Sequence, residues 1–120
     1  MNVSTREKIQ SFADLPAGWH YREGVPAKEL ALKLALILLG DLERAGFADN
    51  DAYPGIDGSV MISAYDLPDS YDFDVRPSGR ITVAHAREGE DDDIFYQEGM
   101  TLEESQQKIK EFRLSQHHAG

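Results

Sequence analysis

Val60-Met61-Ile62-Ser63-Ala64-Tyr65 and Tyr71-Asp72-Phe73-Asp74-Val75-Arg76 decide the fold. In the first run Val60, Ile62 and Ala64 alternate with Met61, Ser63 and Tyr65; in the second Tyr71, Phe73 and Val75 alternate with Asp72, Asp74 and Arg76. Side chains on a β-strand point to opposite faces in turn, so a period of two predicts two half-buried strands. Leu67-Pro68-Asp69-Ser70 is read as the tight connection between them. Arg76-Pro77-Ser78-Gly79-Arg80 reads as the next hairpin turn, with Pro at a turn position and Gly free to take positive φ. Ile81-Thr82-Val83-Ala84-His85-Ala86 follows as a third strand and, after an acidic loop, Ile94-Phe95-Tyr96-Gln97-Glu98 as a fourth. Every connection is too short for a parallel crossover, which predicts an antiparallel meander.

Helical periodicity flanks the meander on both sides. Residues 5–14 place Ile9, Phe12 and Ala13 at helical spacing before Leu15-Pro16-Ala17-Gly18 ends the pattern. Pro26 fits a first helical turn, Ala27–Ala45 is built from strong helix formers, and Gly46 supplies the stop. On a wheel at about 100° per residue the apolar side chains of this helix cover roughly 240°, far beyond the ~100° stripe of an ordinary surface helix. The excess needs a cover. Phe12, Leu15 and Trp19 of the N-terminal segment are one candidate, and a homodimer contact through Leu32, Leu36 and Leu39 is the other. Thr101-Leu102-Glu103-Glu104 is a capping box, and Ile109 and Phe112 extend the face of Leu102 in a closing helix to about residue 114. The fold expected is α+β: N-terminal helices, a four-stranded antiparallel meander and a C-terminal helix, with the helices packed on one sheet face. It forms a single domain over residues 1–114, and residues 115–120 are expected to be a disordered tail.

The chain has 120 residues, 22 acidic against 12 basic side chains, and a net charge of -10. The charge is segregated. Residues 1–48 hold six acids and six bases and residues 99–120 three of each, so residues 49–98, with 13 acids and 3 bases, carry the whole excess. Such a surface argues against nucleic acid and anionic membranes as partners, since both are bound by basic residues. The absence of cysteine excludes disulfides, thiol nucleophiles and thiolate metal sites. No apolar h-region follows the first residues, and Leu30–Leu39, interrupted by Lys33, is half the length of a membrane span. A soluble cytoplasmic protein is expected.

If Tyr71, Phe73 and Val75 face the helices, Asp72 and Asp74 face the open side of the sheet. With the dense run Glu88, Glu90, Asp91, Asp92 and Asp93, they make a candidate acidic surface for a basic protein partner. The bland alternative is a solvated face that aids solubility. Gly18-Trp19-His20-Tyr21-Arg22-Glu23-Gly24 is a second candidate, with Trp19, His20, Tyr21 and Glu23 as a ligand loop, set against a purely structural reading in which Trp19 and Tyr21 anchor it to the long helix. Tyr53-Pro54-Gly55-Ile56-Asp57-Gly58 gives two successive turn signals and lacks the Gly-Lys-Ser of a phosphate loop. The acidic run lacks the spacing of an EF-hand, His85 aligns with the inward Ile81 and Val83, and His117-His118 bind metal only incidentally. No catalytic residue, cofactor or metal is assigned.

Leu15-Pro16-Ala17-Gly18-Trp19-His20-Tyr21 with Glu23-Gly24-Val25-Pro26, then Tyr53-Pro54-Gly55-Ile56-Asp57-Gly58 before a strand, resembles a group of small bacterial proteins that share this order of elements. The group has no established activity. The resemblance implies a bacterial cytoplasmic single domain and assigns no functional residue. Three functions stay open: a non-enzymatic interaction module of antitoxin, immunity or inhibitor type that binds a basic protein, a structural or regulatory homodimer through the helix at 27–45, and a small-molecule binder or enzyme using the Trp19-His20-Tyr21 loop.

Overall fold

The structure, a computed structural model, describes residues 3–118. Helix α1 (Thr5–Ser11) begins where the Ser4 hydroxyl accepts the Glu7 amide, and a 3-10 turn (Phe12–Asp14) continues it. Helix α2 spans Glu29–Arg44. Strands β1 (Asn50–Pro54), β2 (Val60–Asp66), β3 (Asp69–Val75), β4 (Ile81–Arg87) and β5 (Phe95–Met100) follow, then helix α3 (Leu102–His118). The five strands pair antiparallel in chain order. The fold is α+β, and the meander has five strands where four were expected.

The additional strand is β1. Its sequence, Asn50-Asp51-Ala52-Tyr53-Pro54, is poor in β-branched residues and has one fully buried side chain, Ala52. Tertiary pairing with β2 makes it a strand; residues 55–59 close that hairpin, with the Gly55 amide on the Ser59 carbonyl at 2.9 Å. The β2–β3 turn is also tighter than expected. Asp66 pairs with Asp69, so Leu67 and Pro68 alone form the turn, through a cis peptide bond. Asp69, expected in the connection, is thus the first residue of β3.

The end of α2 follows the chain's glycine. Gly46 takes φ +93°, its amide donates to Glu43 and the Phe47 amide to Leu42, the two bonds of a Schellman stop. The capping box of α3 closes as expected: the Thr101 amide donates to Glu104 Oε1 at 2.9 Å and the Glu104 amide to Thr101 Oγ1 at 3.1 Å. The α3 backbone continues through His118, past the end expected near residue 114, and residues 119 and 120 of the expected tail lie outside the described residues.

All the inward side chains of β2, β3 and β4 meet α2 and α3 on one sheet face. Val60, Ile62, Phe73, Val75, Ile81 and Val83 are inaccessible to solvent, as are Ala35 and Leu38 of α2. Each large apolar side chain so buried contributes about 1.5–3 kcal/mol. Phe112 fastens α3, its ring 4.6 Å from that of Tyr71 and 5.3 Å from that of His85. The wide apolar arc of α2 is covered on its flanks by the chain itself: Ile9 and Phe12 join the core from the N-terminal segment, Ile109 joins it from α3, and the β3–β4 turn closes against Leu30 at Gly79.

Candidate functional site

Among the described residues no helix packs on the opposite sheet face. Strand alternation sends Asp51 and Tyr53, Met61 and Tyr65, Asp72 and Asp74, Thr82 and Ala84, and Tyr96 and Glu98 to it from the five strands in order. Asp72 lies at its centre, on β3 between Ser63 and Ala84, and accepts the Ser63 hydroxyl at 2.6 Å. Helix α1 touches only the β1 margin, where Lys8 Nζ sits 2.8 Å from Asp51 Oδ1 and 5.0 Å from the centre of the Tyr53 ring.

This face combines carboxylates with phenols. Tyr53 and Tyr96 are 43% and 56% exposed, enough surface for a partner to cover. The Tyr65 hydroxyl, 3.4 Å away, pushes the Tyr53 phenol above its usual range, assisted by burial and by Asp51. Tyr96 donates to Glu98 at 2.8 Å, a bond that likewise raises its phenol. Tyr53 and Tyr96 therefore stay neutral hydroxyls across the physiological range. Two depressions flank Asp74 and Arg76, one bounded by Tyr53, Ile56 and Met61, the other by Thr82, Tyr96 and Glu98.

Arg76 is the residue that sequence reading missed. Its guanidinium lies 3.0 Å from Asp74 and 2.9 Å from Asp57, tying the sheet face to the β1–β2 loop. Asp74 is thus partly neutralised, whereas among the described residues Asp72 has the Ser63 hydroxyl as its hydrogen-bond partner and pairs with no cation. The side-chain period of two places Arg76 beyond β3 on the same face as Asp72 and Asp74, which is the signal that would have found it. The acids Glu88, Glu90, Asp91, Asp92 and Asp93 are exposed in the β4–β5 connection rather than on the face, and Glu90 lies 3.9 Å from Arg87. Among the described residues no three His, Asp or Glu side chains gather as a metal site, and no helix is long and apolar enough to cross a membrane.

The Trp19 loop is a small hairpin. His20 and Glu23 exchange backbone hydrogen bonds at 2.7 and 2.8 Å around Tyr21 and Arg22, whose φ of 50° and 73° is unusual for residues with a Cβ. The Trp19 indole donates to the Val25 carbonyl at 2.9 Å and lies over Gly24, where a Cβ would fall 2.7 Å from Nε1. His20 contacts the rings of Trp19 and Tyr21 edge-on, and Glu23 reaches it through backbone only. Tyr21, 89% exposed, packs against His20 and does not anchor the loop to α2. The loop also meets the second glycine motif: Val25 N–H donates to the Ile56 carbonyl and Lys28 N–H to that of Gly58, so the two motifs brace each other. Of the candidate dimer residues, Leu39 belongs to the core of its own chain, while Leu32 and Leu36 are half-buried.

No family model matches the chain, and neither curated proteins nor solved structures yield a match.

Proposed function

We propose that this chain is a non-enzymatic interaction module whose open sheet face receives a basic partner protein. The observation that carries the reading is the composition of that face: Asp72 and Glu98, which among the described residues make no hydrogen bond or salt bridge to a basic side chain, share it with the exposed rings of Tyr53 and Tyr96. Tyrosine supplies large, stiff contact area at interfaces, and its ring accepts the planar guanidinium of arginine while carboxylates pair with it in bidentate fashion. The acids of the β4–β5 loop extend the negative field to one side and would speed encounter with a positive surface. An antitoxin, immunity protein or inhibitor works by such occlusion and requires no catalytic group. The His20 ring lies against those of Trp19 and Tyr21, and among the described residues no carboxylate hydrogen-bonds it.

The test is affinity purification from the native organism, followed by titration of the identified partner with the wild type and with the triple variant Asp72→Asn, Asp74→Asn, Glu98→Gln. The wild type is expected to bind more weakly as salt rises, and the variant to lose at least about tenfold in affinity, the equivalent of 1.4 kcal/mol. Equal affinity and an unchanged salt dependence in the variant would end the reading.

A further inference from the structure

The two edges of the sheet are not equivalent. The amide of Tyr65 on the Asp49 carbonyl and that of Gly55 on Ser59 make the odd-numbered residues of β1 the ones bonded to β2, so residues 50, 52 and 54 turn their backbone groups outward. One outward group of each is closed or missing. The Asn50 carbonyl accepts the Thr5 hydroxyl at 3.1 Å, the Ala52 amide donates to Asp51 Oδ1 at 2.8 Å, and Pro54 has no N–H to offer. Helix α1 and Lys8 stand against the same edge.

β5 forms the opposite edge and has no such closure. The bonds Arg76 N–H to Arg80 and Glu88 N–H to Pro68 make the even-numbered residues of β4 partners of β3, leaving its odd-numbered residues for β5. Phe95 and Gln97, opposite His85 and Val83, thus face β4, and the N–H and C=O of Tyr96 and Glu98 point away from the sheet. Among the described residues nothing bonds to these groups, and residues 96–99 are exposed. An open row of donors and acceptors is a template for another strand.

We infer that an extended basic segment of the partner adds to β5 as a sixth strand. The inference rests on the basic-partner reading above and states its mode. Charge selects the occupant. Glu98 lies on the strand, Asp91, Asp92 and Asp93 lead into it, and the charges of Glu98, Asp93 and Asp74 act together on Tyr96. Of the nearby cations, Arg76 acts on Glu98 through its charge but is hydrogen-bonded to Asp74 and Asp57, Lys108 covers the Phe95 ring on the helix side at 3.9 Å, Arg80 reaches the Gly99 carbonyl at the far end of the strand, and Arg87 pairs with Asp69 and Glu90. A second copy of this chain would set the same acids against one another, since a two-fold contact brings like residues together. A strand with alternating Arg or Lys instead places its cations beside Tyr96 and Glu98 on the open face.

The experiment follows backbone amides of the ¹⁵N-labelled full chain by NMR, with an alternating Arg-Val decapeptide as probe and the same peptide N-methylated at every second residue as control. Slowed hydrogen exchange at the Tyr96 and Glu98 amides is expected, together with at least about tenfold weaker binding of the methylated peptide, which has lost strand hydrogen bonds. Equal binding of both peptides, with shifts confined to Tyr53, Tyr65 and Asp72, would overturn strand addition and leave the face reading standing. Binding of neither peptide at low salt counts against both. Protection of the two amides that rises with protein concentration in the absence of peptide would overturn the inference in favour of self-pairing.

Discussion

Asp69 and His85 are joined across the β3–β4 ladder, Nε2 donating to Oδ1 at 2.9 Å, although the strand register sets Asp69 opposite Arg87. The imidazole lies 4.4 Å from the Tyr71 ring and beneath Phe112, so the pair closes the polar end of the core under α3. Burial alone would push the Asp69 carboxyl up; the hydrogen bonds from His85 and Arg87, with the charge of Arg87, outweigh it and hold the group below the ordinary aspartate value. A lowered folded value means that the stabilisation is complete above about pH 4, the unfolded aspartate value, and is lost as pH falls through the folded one. Asp69→Asn should cost about 1–3 kcal/mol at pH 7 and flatten the acid limb of the stability curve. Urea titrations from pH 2 to 7 measure both, and an acid limb as steep as that of the wild type would contradict the account.

Phe112 bridges the rings of Tyr71, Phe73, His85 and Phe95. Truncation in Phe112→Ala leaves a cavity beneath α3 and is expected to destabilise by about 3–5 kcal/mol, with Phe112→Leu recovering much of it. Chemical denaturation gives both values.

Gly46 holds the left-handed position of the α2 stop. Gly46→Ala strains that residue by about 1–2 kcal/mol, whereas Gly40→Ala, in the helix interior, should gain some of the ~1 kcal/mol helix propensity that glycine lacks. Opposite shifts in melting temperature for the two substitutions are the outcome to look for.

The closed β1 edge can be reopened. The double substitution Asp51→Ser, Pro54→Thr removes the acceptor of the Ala52 amide and restores an outward N–H at position 54. Greater concentration-dependent association than the wild type is expected in sedimentation velocity. Unchanged behaviour would mean that α1 protects this edge by itself.

Much of this architecture is legible in the chain. The alternation at 60–65 and 71–75 assigns two strands and their buried faces, Gly46 marks the end of α2, and Thr101 with Glu104 marks the start of α3, because each signal is local: side-chain direction, left-handed backbone, a cap four residues long. The same alternation places Asp72 and Asp74 on the side away from the helices.

The tertiary structure decided the rest. β1 is a strand because β2 lies beside it, for its own residues have little preference to extend. Arg76 reaches Asp57, nineteen positions away, only when the β1–β2 loop folds over the sheet, and Asp69 meets His85 only across a hairpin. Sequence alone located the negative charge, since local counting suffices for that. Which acids are already neutralised, which tyrosines stand among them and which sheet edge is left open depend on contacts between residues far apart in the chain, and only the folded arrangement sets them.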